Sequence, residues 1–380
     1  MPLRTPFSFA SVGSRPPSAA NRYGVDYRVE AARLPPRQGI IDIHAHIGGV
    51  QACRVWGRVA DLFGIERIYS MVRLGDAPTI REILGPKVEF IAFPDFRTDR
   101  AKAMRDGFLA DIQEFHDRLG SRIVKLWNAP RMREPGAVGG GSDVVEFDSE
   151  WRVRHAQLAQ QLGMGIMVHV ADPDTWFSTR YRDTAIYGTK ADHYRGLRVM
   201  LDRFAVPWIA AHMGGWPEDL AFLSSLLTSH PNLHLDTSAT KWIVRELSRH
   251  PRESVLEFLD RWRGRIIFGS DIVTTDEHMA RKTTPAAHPM GDLADSPEAA
   301  FDLYASRYWA LRAMYETDFD GESPIADPDL AMVDPATYGP MSAPRLRGLS
   351  LPEDLLRVLY VDAAKGFLAK VAPRSATSVR

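Results

Sequence analysis

Eight short apolar runs alternate with helical patterns from residue 38 almost to the end of the chain, and this alternation restricts the fold more than any other feature. Each run resembles a strand buried on both faces of a parallel sheet. In chain order the runs are GIIDIHAH, RIYSMVRL, VEFIAFP, RIVKLWNAP, MGIMVHVAD, VPWIAAHMGG, LHLDTSA and RIIFGSDIV. The predicted helices cover residues 50–64, 101–119, 149–162, 190–204, 217–229 and 242–262, with a short helix in GDAPTIREILG between the second and third strands and another in SPEAAFDLYASRYWALRAMYETDF after the eighth. Eight strand–helix units favour an α/β fold of the (β/α)8 TIM-barrel type over an open doubly wound sheet.

Two connections are longer than a minimal barrel requires. Residues 170–189 follow the fifth strand, and residues 272–345 follow the eighth. Both insertions leave the carboxyl ends of strands, where barrel active sites lie. The second insertion carries four aromatic residues at helical spacings: Tyr304, Tyr308, Trp309 and Tyr315. We therefore expect a helix with one buried aromatic face, in a segment that covers the mouth of the site or forms a subunit interface.

The remaining organisation follows from composition. Residues 1–36 are rich in proline and serine and are predicted to form a flexible arm, with residues 37–380 as a single domain. The chain is 45% hydrophobic and 25% charged, as in ordinary soluble proteins, and its net charge of −1 supplies no electrostatic footprint for nucleic acid or an anionic membrane. The one cysteine permits no intrachain disulfide, and no apolar run reaches the length of a membrane span or an export signal. A cytoplasmic protein is expected.

The first strand ends in two histidines one residue apart, within GIIDIHAHIGG at residues 39–49. Side chains alternate along a strand, so His44 and His46 share a face with Cα atoms about 6.6 Å apart. Both imidazoles can then converge on one metal ion with bonds of about 2.0–2.1 Å. A hydrogen-bonded histidine pair in a turn is the alternative, and these residues alone do not decide between the two.

Other ionisable side chains occupy the same rim of the predicted barrel. Lys125 lies in the fourth strand, His169 ends the fifth, His212 ends the sixth, and Asp271 ends the eighth. Buried ionisable groups are rare unless they are paired or bound to a metal. Their placement at one rim therefore predicts a functional site.

DIHAH, VHVAD, AHMGGWPEDL and FGSD resemble, in this order, the motifs of the amidohydrolase superfamily of metal-dependent barrels. The nearest branch is the amidohydrolase-related group that includes aminocarboxymuconate-semialdehyde decarboxylase. The resemblance covers residues 39 to about 275, and YVDAAKGFL at 360–368 is similar to the closing helix of that branch, with Asp362 in place of the usual asparagine.

The resemblance implies that His44, His46, His169 and Asp271 coordinate one divalent ion, Zn²⁺ or alternatively Mn²⁺. His212 would act as an acid/base or electrostatic partner. Asp271 would also take a proton from water, whose pKa a bound metal lowers from 15.7 to about 7.

Lys125 has three interpretations. It could be carboxylated and bridge two metals, as in binuclear relatives. In the single-metal branch, which these motifs match better, it would face the substrate or support the site. It could also simply extend its amine out of the rim.

Substrate contacts are predicted just beyond the strand ends. Trp127, Trp176 and Trp216 could form a pocket wall, or could be ordinary buried residues. Arg180 and Arg182 could bind a substrate carboxylate, or belong to a solvated loop face.

The sequence thus predicts a metal-dependent hydrolase that activates water against an amide-, ester- or lactone-type C–N or C–O bond of a small molecule. The alternative is a metal-dependent non-oxidative decarboxylase of an unsaturated or aromatic carboxylic acid, because both reactions need the same ligands. A catalytically silent barrel that binds a small molecule is a third reading. A homodimer is possible, with neither nucleic acid nor membrane as a partner. The run SPIADPDL, residues 323–330, has no physical explanation from the sequence.

Overall fold

The structure, a computed structural model, describes residues 7–35, 39–96, 99–134, 141–286 and 289–371. All eight predicted strands are present, and their neighbours pair in parallel. They are β1 (Ile40–Ile47), β2 (Ile65–Met71), β3 (Val88–Ile91), β4 (Ile123–Trp127), β5 (Gly165–His169), β6 (Trp208–Ala210), β7 (Leu233–Asp236) and β8 (Ile266–Ile267).

Backbone hydrogen bonds close these strands into a ring. Between β3 and β4, Ala92 donates to the carbonyl of Ile123 and accepts from the amide of Lys125, both at 2.8 Å. Between β1 and β8, the amide of Ile43 donates to the carbonyl of Phe268 at 3.0 Å. The fold is therefore the predicted TIM barrel.

The helices surround this ring. They are α1 (Tyr27–Ala32), α2 (Val50–Phe63), α3 (Ala77–Leu84), α4 (Arg100–Ala103), α5 (Asp106–Leu119), α6 (Ser142–Val145), α7 (Glu150–Gln161), α8 (Asp174–Phe177), α9 (Thr184–Tyr187), α10 (Lys190–Arg203), α11 (Leu220–Ser229), α12 (Thr240–Leu247), α13 (Arg252–Arg261), α14 (Pro297–Glu316), α15 (Asp329–Val333), α16 (Glu353–Arg357) and α17 (Ala363–Leu368). Short 3-10 segments occupy Gly85–Lys87, Pro130–Arg133, Met213–Gly215, Asp276–Met279 and Pro289–Leu293, and a π-helical turn spans Val358–Asp362. Three further strands are β9 (Ile272–Thr274), β10 (Asp320–Glu322) and β11 (Arg345–Arg347).

Helix boundaries follow local chemistry. α10 begins with a capping box in which the side chains of Thr189 and Asp192 satisfy each other's backbone amides. The prediction of one helix over 242–262 is wrong, because α12 and α13 are separate. Pro251 explains the break, since it has no amide to donate and its ring clashes with a preceding helical turn.

Apolar side chains fill the barrel interior below the rim. Ile43, Met167 and Ile209 belong to this inner cluster, and Phe367 of α17 packs against it. The opposite rim, at the carboxyl ends of the strands, is left to polar side chains. Among the described residues, no helix combines the length and apolarity needed to cross a membrane.

The amino-terminal segment differs from the predicted flexible arm. Within residues 7–35, Val25 and Tyr27 are fully buried. Asp302 of α14 accepts hydrogen bonds from Arg15 and Asn21, both at 3.0 Å. The proline- and serine-rich composition hid these apolar and polar anchors. Residues 1–6 and 36 of the predicted arm lie outside the described residues.

The long segment after β8 is mostly part of the barrel. Its helix α14 packs against both α2 and α12, where the eighth outer helix of a barrel belongs. The predicted aromatic residues lie on this helix and are all buried: Tyr304, Tyr308, Trp309 and Tyr315. Because α14 is buried on nearly all sides, it is a structural helix. The segment approaches the site at β9, which pairs with β1 at His46, and again after α14, where Asp329 contacts Trp176 and Trp242.

Candidate active site

A bulge in β1 directs the two histidines of the first strand into the barrel. The pairing of β1 with β2 shifts register between Asp42 and Ala45, where one residue is extra. Ile43 therefore packs in the barrel interior while the next residue, His44, also faces inward. Bulges commonly re-aim side chains beside active sites.

The structure brings three of the four predicted metal ligands into one group. His44 Nε2 and His46 Nε2 each lie 3.4 Å from Asp271 Oδ1. Neighbouring ligands in a tetrahedral site with bonds of about 2.0–2.1 Å are separated by about 3.3–3.4 Å. Both nitrogen–oxygen separations match those of ligands on a single zinc-sized ion, and the three atoms all lie within 4.8 Å of one another.

His169, the fourth predicted ligand, faces His212 instead. Its Nδ1 lies 3.2 Å from His212 Nε2, while its Nε2 is 2.8 Å from a carboxylate oxygen of Asp172. Tyr181 donates to the other oxygen of Asp172 at 2.7 Å. A proton held at Nε2 by Asp172 leaves a lone pair on Nδ1, which is what a metal ligand needs. In the part of the chain that the structure describes, His169 does not join the group formed by His44, His46 and Asp271.

Asp236 and Ser238, which were not predicted from the sequence, contact His44 and His212 at Nδ1, on the side of each ring opposite to the site. Asp236 Oδ2 is 2.8 Å from His44 Nδ1, and Asp236 Oδ1 accepts from the backbone amide of His212 at 2.8 Å. Ser238 Oγ donates to Asp236 Oδ1 and lies 2.8 Å from His212 Nδ1 and 3.0 Å from His44 Nδ1. Carboxylate partners of this kind fix the tautomer of a metal-binding histidine. The signal was available, because both residues end the seventh predicted strand.

The backbone is strained where β6, β7 and β8 end. His212, Ala239 and Asp271 have φ angles of 58°, 64° and 57°, in the left-handed region. Each such residue other than glycine costs about 1–2 kcal/mol. Because two of the three are predicted site residues, the strain coincides with the candidate site.

Burial and charge shift the pKa values of the site. Burial lowers the pKa of Lys125 to about 8, although Asp236 and Asp271 oppose that shift. Its amine lies 3.4 Å from His44 Nε2 and is buried, so the alternative in which it extends out of the rim does not apply. Burial also lowers the pKa of His212 well below its usual value, against the charge of Asp271.

Aromatic rings surround the polar cluster. Phe93 lies 5.9 Å from the ring of His46, Trp127 lies 6.5 Å from His169, and Trp242 lies 5.7 Å from His212. We call these three residues, with Phe96 and Trp176, the aromatic wall; Phe96 contacts Phe93 and Trp127, and Trp176 contacts Trp242. Trp127 and Trp176 were predicted from the sequence, whereas Phe93, Phe96 and Trp242 were not. Phe93 and Trp242 follow strand ends, the signal used for the tryptophans.

Of the other predicted substrate residues, Arg180 contacts this wall, with its guanidinium carbon 5.6 Å from the centre of the Trp176 ring. Trp216 packs on Tyr194 and Phe222, with ring centroids 5.5 and 4.6 Å away. The guanidinium of Arg180 donates to Glu134 Oε1 at 3.1 and 3.2 Å, which occupies its fork. Arg182 is exposed.

The sequence model of a family described as amidohydrolase matches residues 98–329, more than half of the chain. No curated protein matches the sequence.

The solved structures that match the chain share little sequence with it. A 2,6-dihydroxybenzoate decarboxylase from Rhizobium has 13% identity and a TM-score of 0.41, with coverage of 78% of this chain and 96% of its own. An amidohydrolase from Burkholderia multivorans with bound zinc has 12% identity and a TM-score of 0.42, covering 87% and 99%. A probable 2-pyrone-4,6-dicarboxylic acid hydrolase from Acinetobacter baumannii has 12% identity and a TM-score of 0.39, covering 62% and 84%.

Proposed function

Because the chain belongs to the amidohydrolase family, we propose that it is a metal-dependent hydrolase acting on an amide-, ester- or lactone-type C–N or C–O bond of a small molecule. The observation that carries the proposal is the donor spacing, in which His44 Nε2 and His46 Nε2 each lie 3.4 Å from Asp271 Oδ1. We propose His169 Nδ1 as the remaining protein ligand. Three imidazoles and one carboxylate suit a single Zn²⁺, with Mn²⁺ as the alternative.

A bound divalent ion would supply Lewis acidity, which polarises a carbonyl group and acidifies water. The protein's own residues would manage the protons. His212 is held at Nδ1 by Ser238, so its Nε2 is the atom that faces the site. There it would take a proton from water and return it to the leaving oxygen or nitrogen, as general base and then general acid. Asp271 would share the first of these tasks.

Lys125 is proposed to support a single-metal site. Its Nζ lies 3.4 Å from His44 Nε2, within reach of a substrate oxygen bound beside the histidines. The binuclear alternative requires carboxylation of this amine. If the protein contains two metal ions per chain, and Lys125 carries the added mass of one carboxyl group, the binuclear alternative would be correct.

The proposal is tested by metal analysis together with a substrate panel. Protein purified without chelators should contain about one divalent ion per chain. It should hydrolyse at least one member of a panel of 4-nitrophenyl esters, aromatic lactones and anilides, and His44→Ala should abolish both the metal and the activity. Full activity in metal-free protein would contradict the proposal.

A metal-dependent decarboxylase is the second candidate, and the aromatic wall favours it. Phe93 and Trp242 present apolar surfaces beside His46 and His212, which suits a planar aromatic acid. In that reaction the C–C bond to the carboxylate breaks, carbon dioxide leaves, and His212 would protonate the ring carbon. Release of carbon dioxide from hydroxybenzoates, without hydrolysis of any ester, lactone or anilide, would select this candidate.

A further inference from the structure

SPIADPDL, the run without an explanation in the sequence, forms a buried ionic contact with α12. Arg245 of α12 donates to Asp327 through Nη1, and the same Nη1 lies 3.4 Å from Asp329 Oδ2. Arg245 is 1% exposed and Asp327 is fully buried. Because breaking a buried ion pair by removing one partner is costly, this contact fixes the segment after β8 against the helix after β7.

In this fixed segment, Asp329 forms hydrogen bonds with two tryptophans of the aromatic wall. Its Oδ2 accepts the indole N–H of Trp176 at 2.8 Å and that of Trp242 at 2.9 Å. These two tryptophans come from different connections, since Trp176 lies in α8 and Trp242 in α12. One carboxylate oxygen therefore sets the position of both indoles.

Trp242 contacts two histidines of the site, and Trp176 is connected to them through Trp242. Their ring centroids lie 6.0 Å apart at an interplanar angle of 72°. The ring of Trp242 lies 5.7 Å from His212 and 6.5 Å from His169, nearly perpendicular to both. A rotation of Trp242 would change the space beside the two histidines.

We propose that Asp329 is a positioning residue that determines substrate specificity by holding Trp176 and Trp242 in the aromatic wall. The proposal rests on the proposed function, because it assumes that substrate binds beside His212. The substrate would place a planar, apolar group against the two indoles. Asp329 itself touches no substrate and acts only through their N–H groups.

Asp329→Leu and Asp329→Asn separate this role from a general structural one. Leucine cannot accept a hydrogen bond, whereas the asparagine carbonyl oxygen can occupy the position of Oδ2 and accept both N–H groups. With the most reactive aromatic lactone or ester of the panel, Asp329→Leu should raise KM at least tenfold and change kcat less than threefold. Asp329→Asn should stay within threefold of wild type, and so should the control Asp295→Leu, at an exposed aspartate of the same segment.

An activity-independent measurement accompanies the kinetics. The protein has nine tryptophans, and in ¹⁵N-indole-labelled protein Trp176→Phe and Trp242→Phe identify the two relevant N–H signals. Asp329→Leu should shift both signals at unchanged metal content, and Asp329→Asn should restore them towards the wild-type positions. Unshifted signals, or an asparagine variant as impaired as the leucine variant, would overturn the proposal.

Further variants cover the two remaining outcomes. If Asp329→Leu does not fold, Trp242→Phe removes one donor and keeps a ring, and it should raise KM while Trp262→Phe, at an indole bonded elsewhere, should not. An unchanged KM in Trp242→Phe would overturn the proposal. If wild type is inactive on the whole panel, the proposed function fails, and the indole signals still decide whether Asp329 holds the two rings.

Discussion

Replacing Asp236 by asparagine should weaken metal binding sharply, although the two side chains have nearly the same shape. Asp236 Oδ1 accepts three hydrogen bonds, from the amide of His212 at 2.8 Å, the amide of Ser238 at 3.0 Å and the hydroxyl of Ser238. An NH2 group cannot accept from these donors, so the asparagine must turn its NH2 towards His44 Nδ1. That nitrogen then becomes an acceptor, the imidazole proton moves to Nε2, and the lone pair needed for the metal is lost.

The expected size of this effect follows from the role of the carboxylate. Loss of an orienting partner typically costs 10–100-fold in metal affinity. Because the wrong tautomer is imposed here, we expect the upper end, about 100-fold, which corresponds to about 2.7 kcal/mol.

Competition between metal-free protein and a chromophoric chelator for Zn²⁺ measures the affinity, and circular dichroism checks the fold. The control is Ser238→Ala, which leaves the Asp236 carboxylate facing His44 and should cost less than tenfold. A folded Asp236→Asn variant that binds Zn²⁺ within threefold of wild type would refute the tautomer argument.

Three other predictions follow from the same structure. Asp172→Asn should weaken Zn²⁺ binding less than Asp236→Asn in the chelator assay. The new NH2 group can donate to the hydroxyl of Tyr181, while the amide oxygen still accepts the proton of His169 Nε2. An equal loss of affinity in the two variants would contradict this. His212→Asn should keep metal content near wild type and lower kcat/KM by at least about 100-fold, the size expected for a lost general acid/base, whereas loss of the metal would make His212 a ligand. Burial, aided by the neighbouring Arg152, lowers the pKa of His155 from 6.5 to about 3. Between these pH values the unfolded chain binds a proton at His155 that the folded chain does not bind. The contribution of neutral His155 to the free energy of unfolding is therefore fully present above pH 6.5 and is lost as the pH decreases. Between pH 7 and pH 5, the free energy of unfolding measured with urea should therefore fall by about 2 kcal/mol less in His155→Phe than in wild type. Parallel pH profiles of the two proteins would show that His155 does not contribute.

The fold was predictable from the sequence because strand runs in a barrel are short and apolar, and all eight were found. The register of those strands was not predictable. The bulge between Asp42 and Ala45 arises from pairing with β2 and has no signature of its own in IIDIHAH. The packing of the amino-terminal segment was missed for a similar reason, since Tyr27 becomes a buried residue only through its contacts in the folded chain.

The strand-end rule predicted the candidate site only in part, because His169 faces His212 and Trp216 packs on Tyr194 and Phe222 instead. His44, His46 and Asp271 meet as expected, and Lys125 lies beside them. The same rule was not applied to the seventh strand, and Asp236 was therefore missed. Asp329 is different in kind, because it meets Trp176 across 153 residues of sequence and no local pattern reports such a contact.

The candidate ligands come from two sheets, which are joined only by the short contacts that close the described part of the barrel. One sheet holds β1, β2, β3 and β9, and the other holds β4 to β8, with Ala92 as a single-residue bridge at one seam. His44 and His46 lie in the first sheet and Asp271 directly precedes β9, whereas His169 belongs to the second. An ion bound by all four candidate ligands would connect the two sheets, and it would stabilise the closed barrel because it binds only that form. Removal of the metal should then speed hydrogen exchange of the Ala92 and Lys125 amides more than exchange within either sheet, and uniform acceleration would show that the two sheets open together.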